Sequence, residues 1–273
     1  MSVKELFVAT RLDYVSGATI IPDGAFKISP SKVYKFINKP HLWFRSEVLG
    51  EDTDDGSTAS KLGTIVHFCA EEFIKTGKVD TNEVEKFISE ITNPDVDINY
   101  ISEQWKPMSQ TLIDYLANNG VPQRSEELIS HEIMPGYWVA GSADAVQGDC
   151  LIDFKTTSNL TAPTDIPIYY LYQLLTYAYI YNKMGVPINR IRIVWVTNNI
   201  VGRISDKTGK PMKDYPATVS TSTQTITNED MDFIESILKL IAEKVAYYEA
   251  NPETAYLLFN DYRLKQVNDE SKT

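Results

Sequence analysis

The spacing of hydrophobic positions changes repeatedly along the chain, and each change marks a new element. Up to residue 27 the pattern is mixed, with short apolar runs at Leu6–Ala9 and Ala18–Ile21 that read as strands. Ser29-Pro-Ser-Lys-Val-Tyr-Lys-Phe then opens a helix, with Ser29 as its cap and Pro30 in its first turn. An acidic loop, Glu51–Ser60, leads to a second helical run from Lys61 to about Thr76, which Gly77 stops. Helical spacing continues over Asn82–Ile91 and about Ile101–Asn118. The period then drops to that of strands over His131–Met134, Tyr137–Val146 and Leu151–Thr156, with turn chemistry in Gln147-Gly148-Asp149. From Ile166 to Met184 the spacing is helical again, ended by Gly185 and Pro187. Arg190–Thr197 reads as a strand, and the weakly alternating Ala217–Ile226 is placed to pair back on it across a basic loop. Thr227-Asn-Glu-Asp starts an amphipathic helix to about Ala250, and Asn268–Thr273 is a polar tail. Strands bracketed by helices predict an α/β fold, a central mixed β-sheet flanked by helices.

Candidate chemistry concentrates in Gly141–Lys155, which reads G-S-A-D-A-V-Q-G-D-C-L-I-D-F-K. Side chains alternate faces along a strand, so Asp153 and Lys155 point to one side while Phe154 points into the core. A tight hairpin would bring Asp144 alongside them. Two converging carboxylates repel unless a cation lies between them, and hard divalent ions prefer oxygen ligands. An ammonium beside such an ion orients or deprotonates a water, or offsets charge building on a phosphate. The cluster points to metal-dependent phosphodiester hydrolysis. Each residue alone is ordinary: an Asp at a turn or an Asp-x-Lys at a strand end is usually a solvated edge.

The case rests on companions. Gln173 and Tyr177 share a face of the helix from Ile166, where an amide and a phenol could order the lysine or touch a phosphate. The plainer reading is a sheet-covering helix whose tyrosines are core and rim, and for most of the tyrosines between 169 and 181 that reading is preferred. Gln173 is different, because an amide among apolar neighbours wants partners. Upstream, His67 and Glu71 share a face of the helix from Lys61. A helical His is more often a satisfied surface or core residue than a ligand.

Taken in order, Gly63…His67, Gly141…Asp144, Asp153-Phe154-Lys155 and Gln173…Tyr177 resemble the RecB-like branch of the PD-(D/E)xK nuclease superfamily. The likeness is nearest to phage and RecE-type exonucleases, which carry G-x-x-x-H, G-x-x-D, (D/E)-x-K and Q-x-x-x-Y in that order. The opening at Ser29, with Pro40 and Trp43 to follow, is similar to the first helix of that group, and the resemblance spans roughly residues 28 to 197. Asp153 stands where Glu is commoner. The resemblance implies a restriction-endonuclease-like core with an N-terminal helical elaboration. Its expected parts are an N-terminal segment at 1–56, the nuclease core at 57–250, and a C-terminal extension and tail at 251–273. It implies Asp144 and Asp153 as metal ligands helped by the backbone carbonyl of Phe154, and His67 as a further ligand. Lys155 would position the attacking water and stabilise the transition state, with Gln173 and Tyr177 as a supporting pair. Glu71 is a candidate outer contact to the ion, in competition with its neighbour Glu72. The implied ion is Mg²⁺, with Mn²⁺ able to substitute.

Composition narrows the setting. A net charge of −11 argues against a protein that coats DNA, because phosphate neutralisation supplies most non-specific affinity. An enzyme needs only a local basic track. Two candidates exist, Lys32, Lys35, Lys39 and Arg45 near the first helix, and Arg203, Lys207, Lys210 and Lys213 in the later loop. Either is equally readable as solvated surface. Basic residues lining a ring-shaped homo-oligomer would reconcile an acidic exterior with DNA. The N-terminus lacks a secretory pattern and no stretch is apolar enough for a membrane span, so a cytoplasmic enzyme is expected, in the host-cell cytoplasm if it is phage-encoded. Cys69 and Cys150, the only cysteines, read as reduced buried thiols and cannot supply the four ligands of the iron–sulfur cluster found in some RecB-like relatives. The expected function is a Mg-dependent exonuclease on linear double-stranded DNA, 5′ to 3′ by the resemblance, in phage-type recombination and often accompanied by a single-strand annealing protein. The alternatives are a structure- or end-specific endonuclease of the same fold and a catalytically inactive nucleic-acid-binding module.

Overall fold

The alternation in the middle of the chain becomes one six-stranded mixed sheet with helices on both faces. The computed structural model describes residues 21–51, 56–202, 204, 208–211 and 213–254. The expected strand at Leu6–Ala9, nearly all of Ala18–Ile21, the middle of the acidic loop and the polar tail lie outside the described residues. In chain order the first elements are β1 (Phe26–Ile28), a 3₁₀ turn (Pro30–Lys32), α1 (Val33–Asn38), α2 (Pro40–Glu47), α3 (Thr58–Thr76), α4 (Thr81–Ser89) and α5 (Ile98–Asn119). Then follow β2 (Arg124–Met134), β3 (Tyr137–Gln147), β4 (Cys150–Thr157), α6 (Ile168–Lys183), β5 (Arg190–Thr197), β6 (Val219–Thr225) and α7 (Asn228–Ala250). No helix among the described residues is long and apolar enough to cross a membrane.

Strand β3 is the pivot. One edge pairs antiparallel with β2 from Arg124↔Val146 to Met134↔Tyr137. The other edge pairs with β1, in parallel, only at Tyr137–Val139, and with β4, antiparallel, only from Ala145↔Ile152 to Gln147↔Cys150. Between those partners, residues 140–144 face no strand on that edge among the described residues. Gly141 and Asp144 lie in that gap. Beyond it β4 runs parallel to β5 over its whole length, Cys150↔Arg190 to Thr157↔Thr197, and α6 supplies the crossover that a parallel pair requires. Strand β6 closes this end, as its alternation predicted, with the Trp195 indole N–H donating to Ser222 Oγ at 2.9 Å.

Period-two alternation splits the core between the two faces. Leu151, Ile191, Ile193 and Trp195 pack under α6 and α7, while Ile152, Phe154, Val194 and Val196 pack against α3 and α5. Helix α6 is buried almost all round from Leu174 to Tyr181, which explains its weak amphipathicity. Cys69 and Cys150 are buried, free thiols, and burial raises the pKa of both.

Some boundaries differ from the sequence reading for local reasons. Ser29 makes no side-chain cap. Its carbonyl instead accepts the Lys32 N–H at 2.9 Å, closing the 3₁₀ turn. The helix expected there breaks at Lys39, since the residue before a proline is disfavoured in helical geometry, and Pro40 starts α2. Helix α3 begins earlier, capped by Ser57, whose Oγ accepts the Ser60 N–H at 3.2 Å. Strand β2 starts at Arg124, well before His131, because acidic Glu126 and Glu127 hide its alternation. Trp43 of α2 is fully buried, edge-on to Phe36 with ring centroids 5.0 Å apart and tilted against Phe26 at 6.3 Å. Trp43→Ala is expected to cost about 3–5 kcal/mol in a denaturant titration. A loss below about 1 kcal/mol would show that α2 is not part of the cooperative core.

Candidate active site

The site begins where β3 and β4 splay apart. Two residues, Gly148 and Asp149, connect the strands, with Gly148 at φ +60°. After the Ala145↔Ile152 pair the Asp144 carboxylate replaces backbone pairing, accepting the Phe154 N–H at 2.7 Å. Gly141 stands in the same gap beneath α6. A Cβ there would lie 3.0 Å from the Tyr177 hydroxyl and 3.1 Å from Pro30 Cδ, so only glycine lets α6 and the 3₁₀ turn approach so closely. Tyr177 therefore packs with its hydroxyl over the β3 backbone at Gly141.

As alternation predicts, Asp153 and Lys155 point together toward α6. Asp153 is only 3 % exposed, and its Oδ2 lies 2.6 Å from Lys155 Nζ. Gln173 of α6 donates to Asp153 Oδ1 at 3.4 Å, so the amide has the partner its surroundings called for. Burial raises the Asp153 carboxyl, and Lys155 opposes that shift. Burial alone would lower the Lys155 ammonium, but Asp153 and then Asp144 outweigh it and hold the lysine above its ordinary pKa. Tyr170, assigned by the sequence reading to core and rim, lies with its ring centroid 5.0 Å from Lys155 Nζ. Burial pushes its phenol up to about 12.

Helix α3 supplies the opposite wall, with Gly63 facing the end of β4, where a Cβ would meet Thr156 Oγ1 at an ordinary contact distance of 3.4 Å. His67 reaches both motifs: its Nδ1 is 3.4 Å from Asp144 Oδ2, and its Nε2 lies against the Phe154 carbonyl oxygen. With the proton assigned to Nε2, the ring donates to that carbonyl. The Nδ1 lone pair then faces the Asp144 carboxylate, and two facing lone pairs call for a proton or a cation between them.

The residue missed from sequence is Glu126. It stands on β2 opposite Asp144, between the register pairs Ser125↔Ala145 and Glu127↔Ala143. Like charges directly across a strand pair are destabilising. Its backbone sits at φ +47°, a left-handed conformation that costs about 1–3 kcal/mol for a residue with a side chain. Burial, then the carboxylates of Asp144 and Glu71, push its carboxyl up to about 7. Ligand atoms of His67, Glu126 and Asp144 all lie within 4.8 Å of one another. Strain and charge repulsion held at one point, with a nitrogen donor and a carbonyl beside them, fit a divalent cation. The only sequence signal was an acidic doublet ahead of the predicted strand, and nothing local sets its register.

These groups open onto a cleft of about 620 Å³ lined by Gly63, His67, Glu71, Glu126, Lys155 and Tyr170. Glu71 faces it, ion-paired one turn along α3 with Lys75. Of the predicted basic residues, Lys32 and Lys35 are half-buried on the 3₁₀ turn and α1, Lys39 is exposed after α1, and Arg45 pairs with Glu51. Lys210 is exposed in the loop after β5, where Lys213 lies 5.1 Å from the Tyr215 ring centroid. Arg203 and Lys207 lie outside the described residues.

Sheet, splayed hairpin and acid–lysine pair define a nuclease of a known architecture. A family model for the PD-(D/E)XK nuclease superfamily matches residues 27–255, and the chain belongs to that superfamily. No curated protein sequence matches it. Among solved structures, a candidate exonuclease from Eubacterium rectale superposes with a TM-score of 0.52 at 13% identity, covering 83% of this chain and 82% of that one. At that identity the likeness speaks to the fold alone. A phage-related exonuclease from Haemophilus somnus 129PT gives a TM-score of 0.39 at 14% identity, covering 84% and 96% of the two chains. An alkaline exonuclease from Laribacter hongkongensis gives 0.37 at 16%, covering 73% and 98%.

Proposed function

We propose that this nuclease is a metal-dependent DNA exonuclease that hydrolyses linear double-stranded DNA from its ends, 5′ to 3′, in phage-type recombination or DNA processing. The observation that carries the reading is the convergence of His67, Asp144 and Glu126 beside the Asp153–Lys155 pair at one cleft. Asp144, Asp153, the Phe154 carbonyl and His67 would hold Mg²⁺, or Mn²⁺ in its place, and Glu126 is added to that set here. A divalent ion so held supplies positive charge to the phosphate and makes a water more acidic.

The chain's own residues do the rest. Lys155, kept charged by Asp153, presents an ammonium where negative charge builds on the phosphate oxygens. Asp153 and Gln173 fix its position, and the Tyr170 ring shields one side from water. The Phe154 N–H orients the Asp144 carboxylate, and His67 Nδ1 faces it at 3.4 Å as the nitrogen donor that would share the ion. Tyr177 acts at one remove, holding α6 against Gly141 so that Gln173 reaches Asp153. A net charge of −11 favours DNA enclosed by a ring-shaped homo-oligomer over DNA on an open surface, with a single-strand annealing protein as the expected partner in the cytoplasm. In the same reading the core of 57–250 carries the chemistry, preceded by an N-terminal segment and helix within 1–56 and followed by a C-terminal extension and tail at 251–273.

The test is digestion of linear and closed-circular duplex DNA with Mg²⁺. Nucleotide release from linear DNA alone is expected, and end-labelling then reads the polarity. Cleavage of closed circles would replace the exonuclease with an endonuclease. Failure on every substrate with both Mg²⁺ and Mn²⁺ would leave a binding module.

A further inference from the structure

A second cavity, of about 480 Å³, adjoins the cleft and is lined by Tyr34, Lys35, Asn38, Lys39, Leu42 and Tyr169. The boundary between the two is a pair of rings. Tyr169 lies on this cavity and Tyr170 on the cleft, with their centroids 4.2 Å apart. Tyr170 in turn lies under Lys155. Lys155 thus lies on the cleft side of this tyrosine pair, and Lys35 and Lys39 line the cavity that Tyr169 faces.

We propose that this groove holds unpaired nucleotides of the strand being cut, with a base stacked on Tyr169 and backbone phosphates against Lys35 and Lys39. The inference rests on the nuclease reading above and adds that the enzyme acts on a locally single-stranded end.

Four observations carry it. Tyr169 is 48 % exposed at the first turn of α6, which leaves a large aromatic face open beside the site. Such faces bind bases of any sequence, as an exonuclease requires. The second observation is charge complementarity. Lys32, Lys35 and Lys39 cluster in a chain that is otherwise acidic, where phosphates are the matching counter-charges. Lys35 registers the crowding: burial and then Lys32 lower its pKa, Glu47 partly offsets this, and Lys39 lowers it further. A phosphate brought to this cluster would relieve that repulsion. The third is size, since a groove of this volume has room for a nucleotide or two. The fourth is continuity, because Tyr34 is itself braced edge-on by Tyr172 of α6 at 5.3 Å, so both walls of the groove are anchored to the helix that carries Gln173.

The experiment measures binding of a labelled short oligo-dT and of a blunt duplex by fluorescence anisotropy in Ca²⁺, over a range of salt, together with digestion of linear DNA in Mg²⁺. Tyr169→Ala is expected to weaken oligo-dT binding about tenfold, the scale of one lost base stack, while Tyr169→Phe retains it. Lys39→Gln is expected to lower the slope of log affinity against log salt by about 0.7, the value of one single-strand phosphate contact. Both side chains are exposed, so an unchanged thermal midpoint checks that the variants fold. If the wild-type chain digests DNA but both variants bind oligo-dT like wild type with the same salt slope, the groove proposal is overturned and the nuclease reading stands. If the wild-type chain neither digests nor binds any DNA with Mg²⁺ or Mn²⁺, the nuclease reading falls and this one with it.

Discussion

Asp144→Asn is expected to reduce metal-dependent DNA cleavage about a thousandfold without unfolding the chain, the loss expected when one preorganised charge is removed from a reacting phosphate. The substitution separates charge from geometry. An Asn oxygen still accepts the Phe154 N–H that Asp144 takes at 2.7 Å, so the splayed hairpin keeps its brace. The lost charge faces Glu126 across the strand pair and His67 at 3.4 Å. In metal-free buffer that loss relieves carboxylate repulsion, so the thermal midpoint should hold or rise. Wild-type protein should instead gain stability from Mg²⁺ or Mn²⁺, about 2.7 kcal/mol at a hundredfold excess over Kd, and the variant should lose that gain. The variant retaining both full activity and the metal-induced shift would remove Asp144 from the metal site.

Lys155→Met is expected to slow cleavage about a hundred- to a thousandfold and to destabilise the chain as well. The side chain of Lys155 is 17% exposed and its ammonium is the counter-charge to a carboxylate buried more deeply still. Breaking one half of such a pair costs about 3–5 kcal/mol where the remaining charge persists. Because burial already raises the Asp153 carboxyl, it escapes part of that cost by taking up a proton. The Asp153→Asn/Lys155→Met double variant should therefore recover stability and not activity. Single-turnover rates and denaturant midpoints on the three variants read the two effects separately. Cleavage by Lys155→Met within tenfold of wild type would dismiss the ammonium as a phosphate-stabilising group.

Much of the fold was legible because its signals are local. Alternation along β4 put Asp153 and Lys155 on one face, and Gly148-Asp149 marked the hairpin that brings Asp144 back to them. The helical spacing of α6 put Gln173 and Tyr177 on one face, yet it could not say what each would meet. The helix crosses the sheet so that Gln173 reaches Asp153 while Tyr177 closes over Gly141. Tyr170, assigned to core and rim, lies under the reactive lysine because of that same crossing.

The sequence by itself determined most of the elements, the mixed sheet and the order of the motifs, since helix and strand periods, turn residues and side-chain alternation act over a few residues. The three-residue strand β1 at Phe26–Ile28 was too short to show a period. Only the tertiary structure decided that His67 meets Asp144 and Phe154, and that Glu126 completes the group. Those contacts depend on how closely α3 can approach β4 and on the register of β2 against β3. Both are set by packing between distant segments, where a left-handed residue at Glu126 has meaning only once its neighbour is in place.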